Sequence, residues 1–275
     1  MARLLSAGIV SAALITLGIP ATTAVAAPPT CFGIPATLTG AGPLTGTPGR
    51  DVIVGSAGAD VMDSVAFGGN AEGGGRDHLE GGNGNDGLLG DSATPFQGSA
   101  TRAGDDVLRS GPGTAESIIG DSEGIDGAHG SGGDDIIDLG ADGGIFAIGD
   151  HNIGDPAGGQ ATGAGNDRIT GGAADDLLFG DSSVGDASRT FAGKDVIDGR
   201  GGDDRLFGDN VNCDGDASVG TAGGRDVLHG DTGDDAIFAG PANDLLDGGA
   251  NTDSCDGEAG NHDVAVRCES VTNVP

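Results

Sequence analysis

Fourteen aspartates recur along the chain with one neighbourhood in common: Asp51, Asp60, Asp77, Asp86, Asp106, Asp135, Asp167, Asp176, Asp195, Asp204, Asp226, Asp235, Asp244 and Asp253. Two residues after each stands an apolar side chain, from Ile53 and Met62 through to Leu246 and Cys255. Two residues before each stands glycine in eleven cases, with Ala174, Ala242 and Asn251 as the exceptions. Asp226, Asp235, Asp244 and Asp253 are nine apart, as are the pairs 51 and 60, 77 and 86, 167 and 176, and 195 and 204. A carboxylate supplies a hard anionic oxygen. The glycine ahead of it lets the backbone turn and approach closely, so that carbonyl oxygens converge at the same place. The chemistry this combination supports is coordination of a hard cation by oxygen.

Each nine-residue unit must place its Asp on a turn and its apolar residue in a core. A six-residue turn followed by a three-residue strand does both, because side chains alternate across a strand with period two and the apolar residue points inward. Two such units make one coil, and turns on the same edge then lie eighteen residues apart. A longer period is superimposed. The dipeptide Gly-Asp that ends a repeat recurs from Gly90, Gly120, Gly149, Gly180 and Gly208, spaced 30, 29, 31 and 28. Each longer unit carries one or two nonapeptides and a looser insert such as "GDSSVGDASRTFAGKD", residues 180–195, and the unit between Gly120 and Gly149 is the most degenerate. An insert bulges from an edge as a longer half-coil or adds a further side to the solenoid; the sequence leaves both open.

"GGNGNDGLL", from Gly81 to Leu89, matches GGxGxDxUx at every specified position, with U a large apolar residue. The chain thus resembles the RTX or haemolysin-type calcium-binding repeat, and looser copies run from about Gly46 to Cys255. The resemblance implies an all-β chain, a parallel β-roll or β-solenoid with longer inserted turns, that binds several Ca²⁺ ions between stacked turns. Asp226 with Asp244 and Asp235 with Asp253 keep the eighteen-residue spacing uninterrupted, and with Gly224 and Gly233 they are the foremost sites. Asp51, Asp60, Asp77, Asp86, Asp167, Asp176, Asp195 and Asp204 complete the expected metal set. The inserts stretch the spacing to 20 from Asp86 to Asp106, 19 from Asp176 to Asp195 and 22 from Asp204 to Asp226, and are expected to disturb the sites between residues 87 and 195.

Composition points the same way. Among 275 residues are 58 Gly, 43 acids and 12 bases, with 3% aromatic content and no Trp or Tyr, for a net charge of −31. Such a chain buries little apolar surface, and without added binding energy it would remain disordered. A core one side chain thick needs help from a ligand or cross-link. Glycine does not recur every third residue, which excludes collagen. One lysine, Lys194, offers no basic patch for nucleic acid.

Residues 1–26 read as a secretory signal peptide: Arg3, an apolar run from Leu4 to Ile19, then Ala24-Val25-Ala26. Cleavage after Ala26 leaves 11 bases against 43 acids, a charge of −32, and no later segment is apolar enough to span a membrane. The expected location is extracellular. Residues 27–45 are expected to form an N-terminal cap, 46–255 the roll and 256–275 a C-terminal cap. The four cysteines suit an oxidising compartment. Cys255, in the apolar place of the last nonapeptide, is expected to pair with Cys268 and fold the tail over the last coil; Cys31 and Cys213 are then left as the second pair.

Two sharper readings carry less. "GDSEG" from Gly120 to Gly124 matches the G-x-S-x-G nucleophile elbow and offers Ser122 as the nucleophile of a small secreted serine hydrolase. The same Gly-Asp-Ser occurs at Gly90 and Gly180 as an ordinary repeat end, so no enzyme is expected. The five histidines lack the H-E-x-x-H pair of a zinc protease, and "DGD" at 214–216 lacks the distal Glu of an EF-hand. A flat carboxylate-rich face is also suited to a structural or surface-binding role.

Overall fold

The computed structural model describes residues 30–275 apart from 32–33, 48–50, 57, 59, 64–74, 92, 95–99, 102, 125–126, 130–131 and 154–158. No helix occurs among the described residues. Two long sheets run the length of the molecule, each with ten strands among the described residues. The first opens with Leu38–Thr39 and ends with Val264–Val266; the second opens with Pro43–Thr45 and ends with Ser270–Thr272. The chain alternates between them, so every coil adds one short parallel strand to each, and the pairing is parallel throughout both ladders. An antiparallel pair, Thr30–Cys31 with Ile34–Pro35, precedes them.

The three-residue strands of the two long sheets bury their middle side chain up to Ser254–Asp256, as period-two alternation requires, whereas in the last coil Ala265 is half-buried and Val271 exposed. All fourteen apolar residues that follow the aspartates by two are at most 2% exposed. They join one continuous core between the two sheets, from Leu44 at one end to Cys255 at the other. Ala147 is the smallest side chain in that column, and Leu139, fully buried, is drawn into the same core.

The inserts add further sides to the solenoid. A third sheet of five short parallel strands runs from Ala93–Thr94 through Glu123–Gly124, Asn152–Ile153 and Ser183–Val184 to Val211–Asn212. A fourth comprises Ala100–Thr101, Gly127–His129 and Gln160–Thr162. The second long sheet is therefore covered on both faces over much of its length. Leu89, Ile119, Ile148, Phe179 and Phe207, the outward neighbours of its core row, pack into a second core with Val211. The double apolar residues of these strands, such as "LL" at 88–89 and "II" at 118–119, are what a strand buried on both sides requires. Phe179, Phe207 and Phe238 follow one another from coil to coil, the first pair tilted at a centroid distance of 5.5 Å and the second stacked at 4.8 Å.

Cys255 and Cys268 form a disulfide with Cα atoms 6.0 Å apart. The tail adds one more coil in register: Val264–Val266 pairs with Leu245–Asp247 and Ser270–Thr272 with Ser254–Asp256. A cross-link closing so short a loop stabilises by about 3 kcal/mol. The pairing of Cys31 with Cys213 does not form. Cys213 is a free thiol, whereas Cys31 lies beside the coil of Val52–Val54. Five strand steps separate that coil from the one that leads to Cys213. At about 4.8 Å per step this is roughly 24 Å, far beyond the Cα separation of about 7 Å that a disulfide tolerates.

Candidate metal centre

The fourteen aspartates divide between the two turn-bearing edges. On the first, the backbone amide of each ladder member donates to Oδ1 of the Asp one coil on: Asp51 to Asp77, Asp77 to Asp106, Asp106 to Asp135, Asp135 to Asp167, Asp167 to Asp195, Asp195 to Asp226 and Asp226 to Asp244, over 2.6–2.9 Å. Asp244 continues it to Asp263. On the second edge Asp60 donates to Asp86, and Asp176, Asp204 and Asp235 donate in turn to Asp204, Asp235 and Asp253. Asp253 continues that edge to Oε2 of Glu269. Glu116 pairs its strand with that of Asp86, and Gly144 takes the next place, its amide donating to Asp176. The short Asp side chain thus has a structural role, because its Oδ1 satisfies an amide that would otherwise be buried unpaired.

Oδ2 is left for something else. In Asp86, Asp106, Asp135, Asp167, Asp195, Asp204, Asp226, Asp235, Asp244, Asp253 and Asp263 this second oxygen is buried with no hydrogen-bond partner. A buried carboxylate oxygen without a partner is costly, and rows of them call for a cation. Asp51, Asp60 and Asp176 differ: their Oδ2 atoms accept amides from Thr47, Ser56 and Gly172.

The expected glycines are held to glycine by close contact. At both a Cβ would stand 1.6 Å from a carbonyl oxygen, that of Gly193 at Gly224 and that of Gly202 at Gly233, and Gly233 lies in addition at φ +148°. A second set lines the Oδ2 row. A Cβ on Gly90, Gly120, Gly149, Gly180 or Gly208 would lie 2.2–2.7 Å from Oδ2 of Asp106, Asp135, Asp167, Asp195 or Asp226 respectively. It would lie closer still, at 1.7–2.4 Å, to a carbonyl oxygen of the next coil. Each bare glycine therefore leaves a small cradle walled by carboxylate and carbonyl oxygens, the ligand set of Ca²⁺.

Five further aspartates, unmarked by the nonapeptide pattern, sit on the first edge. Asp91, Asp121, Asp150, Asp181 and Asp209 are at most 1% exposed. Each accepts the amide of the glycine two residues before a ladder Asp: Gly104, Gly133, Gly165, Gly193 and Gly224. Carboxylate oxygens of Asp77, Asp91 and Asp106 fall within 4.8 Å of one another. Ligands at 2.3–2.6 Å from a shared Ca²⁺ span that separation. The signal for these residues was the Gly-Asp dipeptide at the longer period, which looks in sequence like a mere repeat end. The inserts leave after this dipeptide and return two residues before the ladder Asp, so the first edge keeps its ladder intact from Asp77 to Asp226. It is the second edge that is interrupted, at Glu116 and Gly144.

Burial drives most of the carboxyls of this assembly upward, with their neighbours' charges adding to it. Asp235 is pushed up to about 6, Asp244 to about 7, Asp204 to about 8, and Asp209 and Asp226 to about 9. These groups hold protons more tightly folded than unfolded. Their contribution to the metal-free fold is therefore greatest below an unfolded carboxyl pKa of about 4 and is lost as pH rises through the 6–9 window. Melting in EDTA is expected at a higher temperature at pH 5 than at pH 8. With saturating Ca²⁺, which displaces the protons, the order is expected to reverse. A metal-free melting temperature independent of pH over this range would contradict the burial of these charges.

Ser122 is 1% exposed, and its amide meets Nδ1 of the buried His151 at 3.4 Å. Asp121 approaches that same nitrogen at 3.7 Å.

The ladders, the cradles and the repeating coil together define a metal-binding parallel β-solenoid. Residues 39–65, 73–93, 161–183, 192–212 and 229–261 match the family model of the RTX calcium-binding nonapeptide repeat (4 copies). The chain is an RTX-type repeat protein, and its repeats bind Ca²⁺. No curated protein and no solved structure matches it.

Proposed function

We propose that this is a secreted protein whose folding is driven by calcium outside the cell, and that it serves there as a structural or binding scaffold. The observation that carries this reading is the row of buried Oδ2 atoms without partners, one per coil, facing glycine cradles. The proposed ligands are the ladder aspartates with free Oδ2 atoms: Asp86, Asp204, Asp235 and Asp253 on one edge, and Asp106, Asp135, Asp167, Asp195, Asp226 and Asp244 on the other. Asp77 belongs with the second group through its cluster with Asp91 and Asp106. Carbonyls of the stacked glycines complete the sites. Asp51, Asp60 and Asp176, whose Oδ2 atoms hold amides, have a structural role in this reading.

Stacked carboxylates repel when no cation lies between them, and the single-layer core is thin compensation. Each site with free calcium about tenfold above its Kd adds about 1.4 kcal/mol to the folded state, and many such sites add together. Extracellular calcium, at which sites of Kd about 10⁻⁴ to 10⁻³ M are tuned, would then be the folding signal. Secretion is supported by the amino-terminal segment 1–26, which lies outside the described residues. Among the described residues, no helix is long and apolar enough to cross a membrane.

The test is far-UV circular dichroism of the chain from Ala27 to Pro275, titrated with CaCl₂ from an EDTA-stripped start, with Mg²⁺ as control. The expected result is a cooperative coil-to-β transition with calcium alone. Full β signal in EDTA, with neither signal nor melting temperature changed by calcium, would refute a folding role.

A further inference from the structure

The two edges differ in charge per coil. The second edge carries at most one buried carboxylate at each turn, and none where Gly144 stands. Over the insert-bearing coils the first edge carries two, because the residue after the cradle glycine is Asp91, Asp121, Asp150, Asp181 or Asp209. Those five side chains form a second column beside the ladder aspartates. Asp150, for example, accepts the amide of Gly165 in the turn that ends at Asp167. From Asp77 to Asp226 this makes a buried strip of eleven carboxylates, with His151 the one basic side chain among the described residues within ion-pair distance of it. Two negative charges per coil are the charge of one divalent cation.

Two independent features show oxygen aimed into this strip. The Oδ2 atoms of Asp106, Asp135, Asp167, Asp195 and Asp226 are buried, without partners, and directed at the glycine that immediately precedes each extra Asp. The extra Asp of two coils contributes likewise, since Asp150 and Asp209 each keep Oδ2 buried with no amide or hydroxyl donor, their carboxyls facing that of Asp181.

We propose that the Gly-Asp dipeptides opening the inserts create a file of five buried Ca²⁺ sites along the first edge, each closed by one extra Asp and the ladder aspartates on either side of it. These are the tightest sites in the molecule. The inserts, which on sequence spacing should weaken calcium binding between residues 87 and 195, instead complete the coordination there. A second carboxylate per ion removes the residual positive charge that a single Asp leaves, and affinity follows ligand charge count. The inference rests on the calcium reading above.

The experiment is calcium counting on the full mature chain. Protein is equilibrated with free Ca²⁺ buffered about tenfold below 10⁻⁴ M, the tight end of ordinary extracellular sites, and the bound metal is measured. Wild type is expected to retain five ions. Asp150→Asn, Asp181→Asn and Asp209→Asn keep an Oδ1 acceptor for the glycine amide but lose the charge, and each is expected to lose one tight ion, with titration calorimetry showing that site at least about tenfold weaker. Asp214→Asn, at an exposed position outside both ladders, is expected to retain all five. If the first three variants keep the wild-type number of tight ions while binding calcium normally elsewhere, the inference fails and the calcium reading stands. If no form binds calcium at any concentration, the calcium reading itself fails. Should the variants not fold, anomalous diffraction from calcium-grown wild-type crystals decides the matter. Peaks between the two Asp columns support the file, and peaks confined to the nonapeptide turns overturn it.

Discussion

Gly149→Ala is expected to abolish the calcium-loaded fold at temperatures where wild type is fully folded. The added methyl would stand 1.9 Å from the Gly180 carbonyl oxygen and 2.3 Å from Oδ2 of Asp167. Both atoms belong to the neighbouring coils, so the solenoid would have to open its rise at that step or expel the carboxylate from its place. Overpacking alone costs about 1–3 kcal/mol, and here the intruding methyl also fills the cradle in which the cation would lie. Gly87→Ala is the control. That glycine has an ordinary φ, and nothing lies within 4 Å of its added Cβ. The restricted unfolded chain should make this variant more stable by about 0.4–1 kcal/mol. Urea unfolding at saturating calcium measures both. Equal midpoints for the two variants would show that the close approach at Gly149 is not a constraint.

Leu178→Ala should come near in size. Leu178 is fully buried in the main core, where its in-register neighbours are Ala147 on one side and Leu206 on the other. Large-to-small changes at such sites cost about 2–5 kcal/mol, depending on how far the surroundings collapse. Collapse is poor here, because Ala147 is already small and the coil spacing is held by the backbone ladders. Each coil contacts only its neighbours, so a defect in the middle also uncouples the two halves. Thermal unfolding by circular dichroism is expected to split into two transitions. Leu245→Ala, at a strand position that is 37% exposed, should change stability by less than about 0.5 kcal/mol. A single unshifted transition for Leu178→Ala would contradict one-dimensional cooperativity.

Much of this architecture could be read directly. The apolar residue two places after each Asp enters the core in all fourteen cases because strand alternation is local, and a spacing of two residues has one structural meaning. Asp226 stacks on Asp244 and Asp235 on Asp253 for a similar reason: eighteen uninterrupted residues make one coil. Cys255 and Cys268 were legible because Cys255 occupies a core position and its partner follows within one coil. The leftover pair of Cys31 and Cys213 failed because counting cysteines carries no information about distance along a solenoid.

The sequence by itself thus determined the repeat, the single-layer core, the two edges of aspartate and the affinity for a hard cation. Tertiary structure alone decided three further matters. The inserts run as additional parallel sheets that bury the outer face of the second long sheet. Glu116 and Gly144 interrupt the second edge, while the first edge stays whole. The Gly-Asp dipeptides deliver Asp91, Asp121, Asp150, Asp181 and Asp209 to the ladder, through contacts that bridge 12 to 15 residues. The physical reason is common to all three: where an insert of variable length leaves and rejoins a coil depends on packing against the coils above and below, and local spacing does not encode that contact.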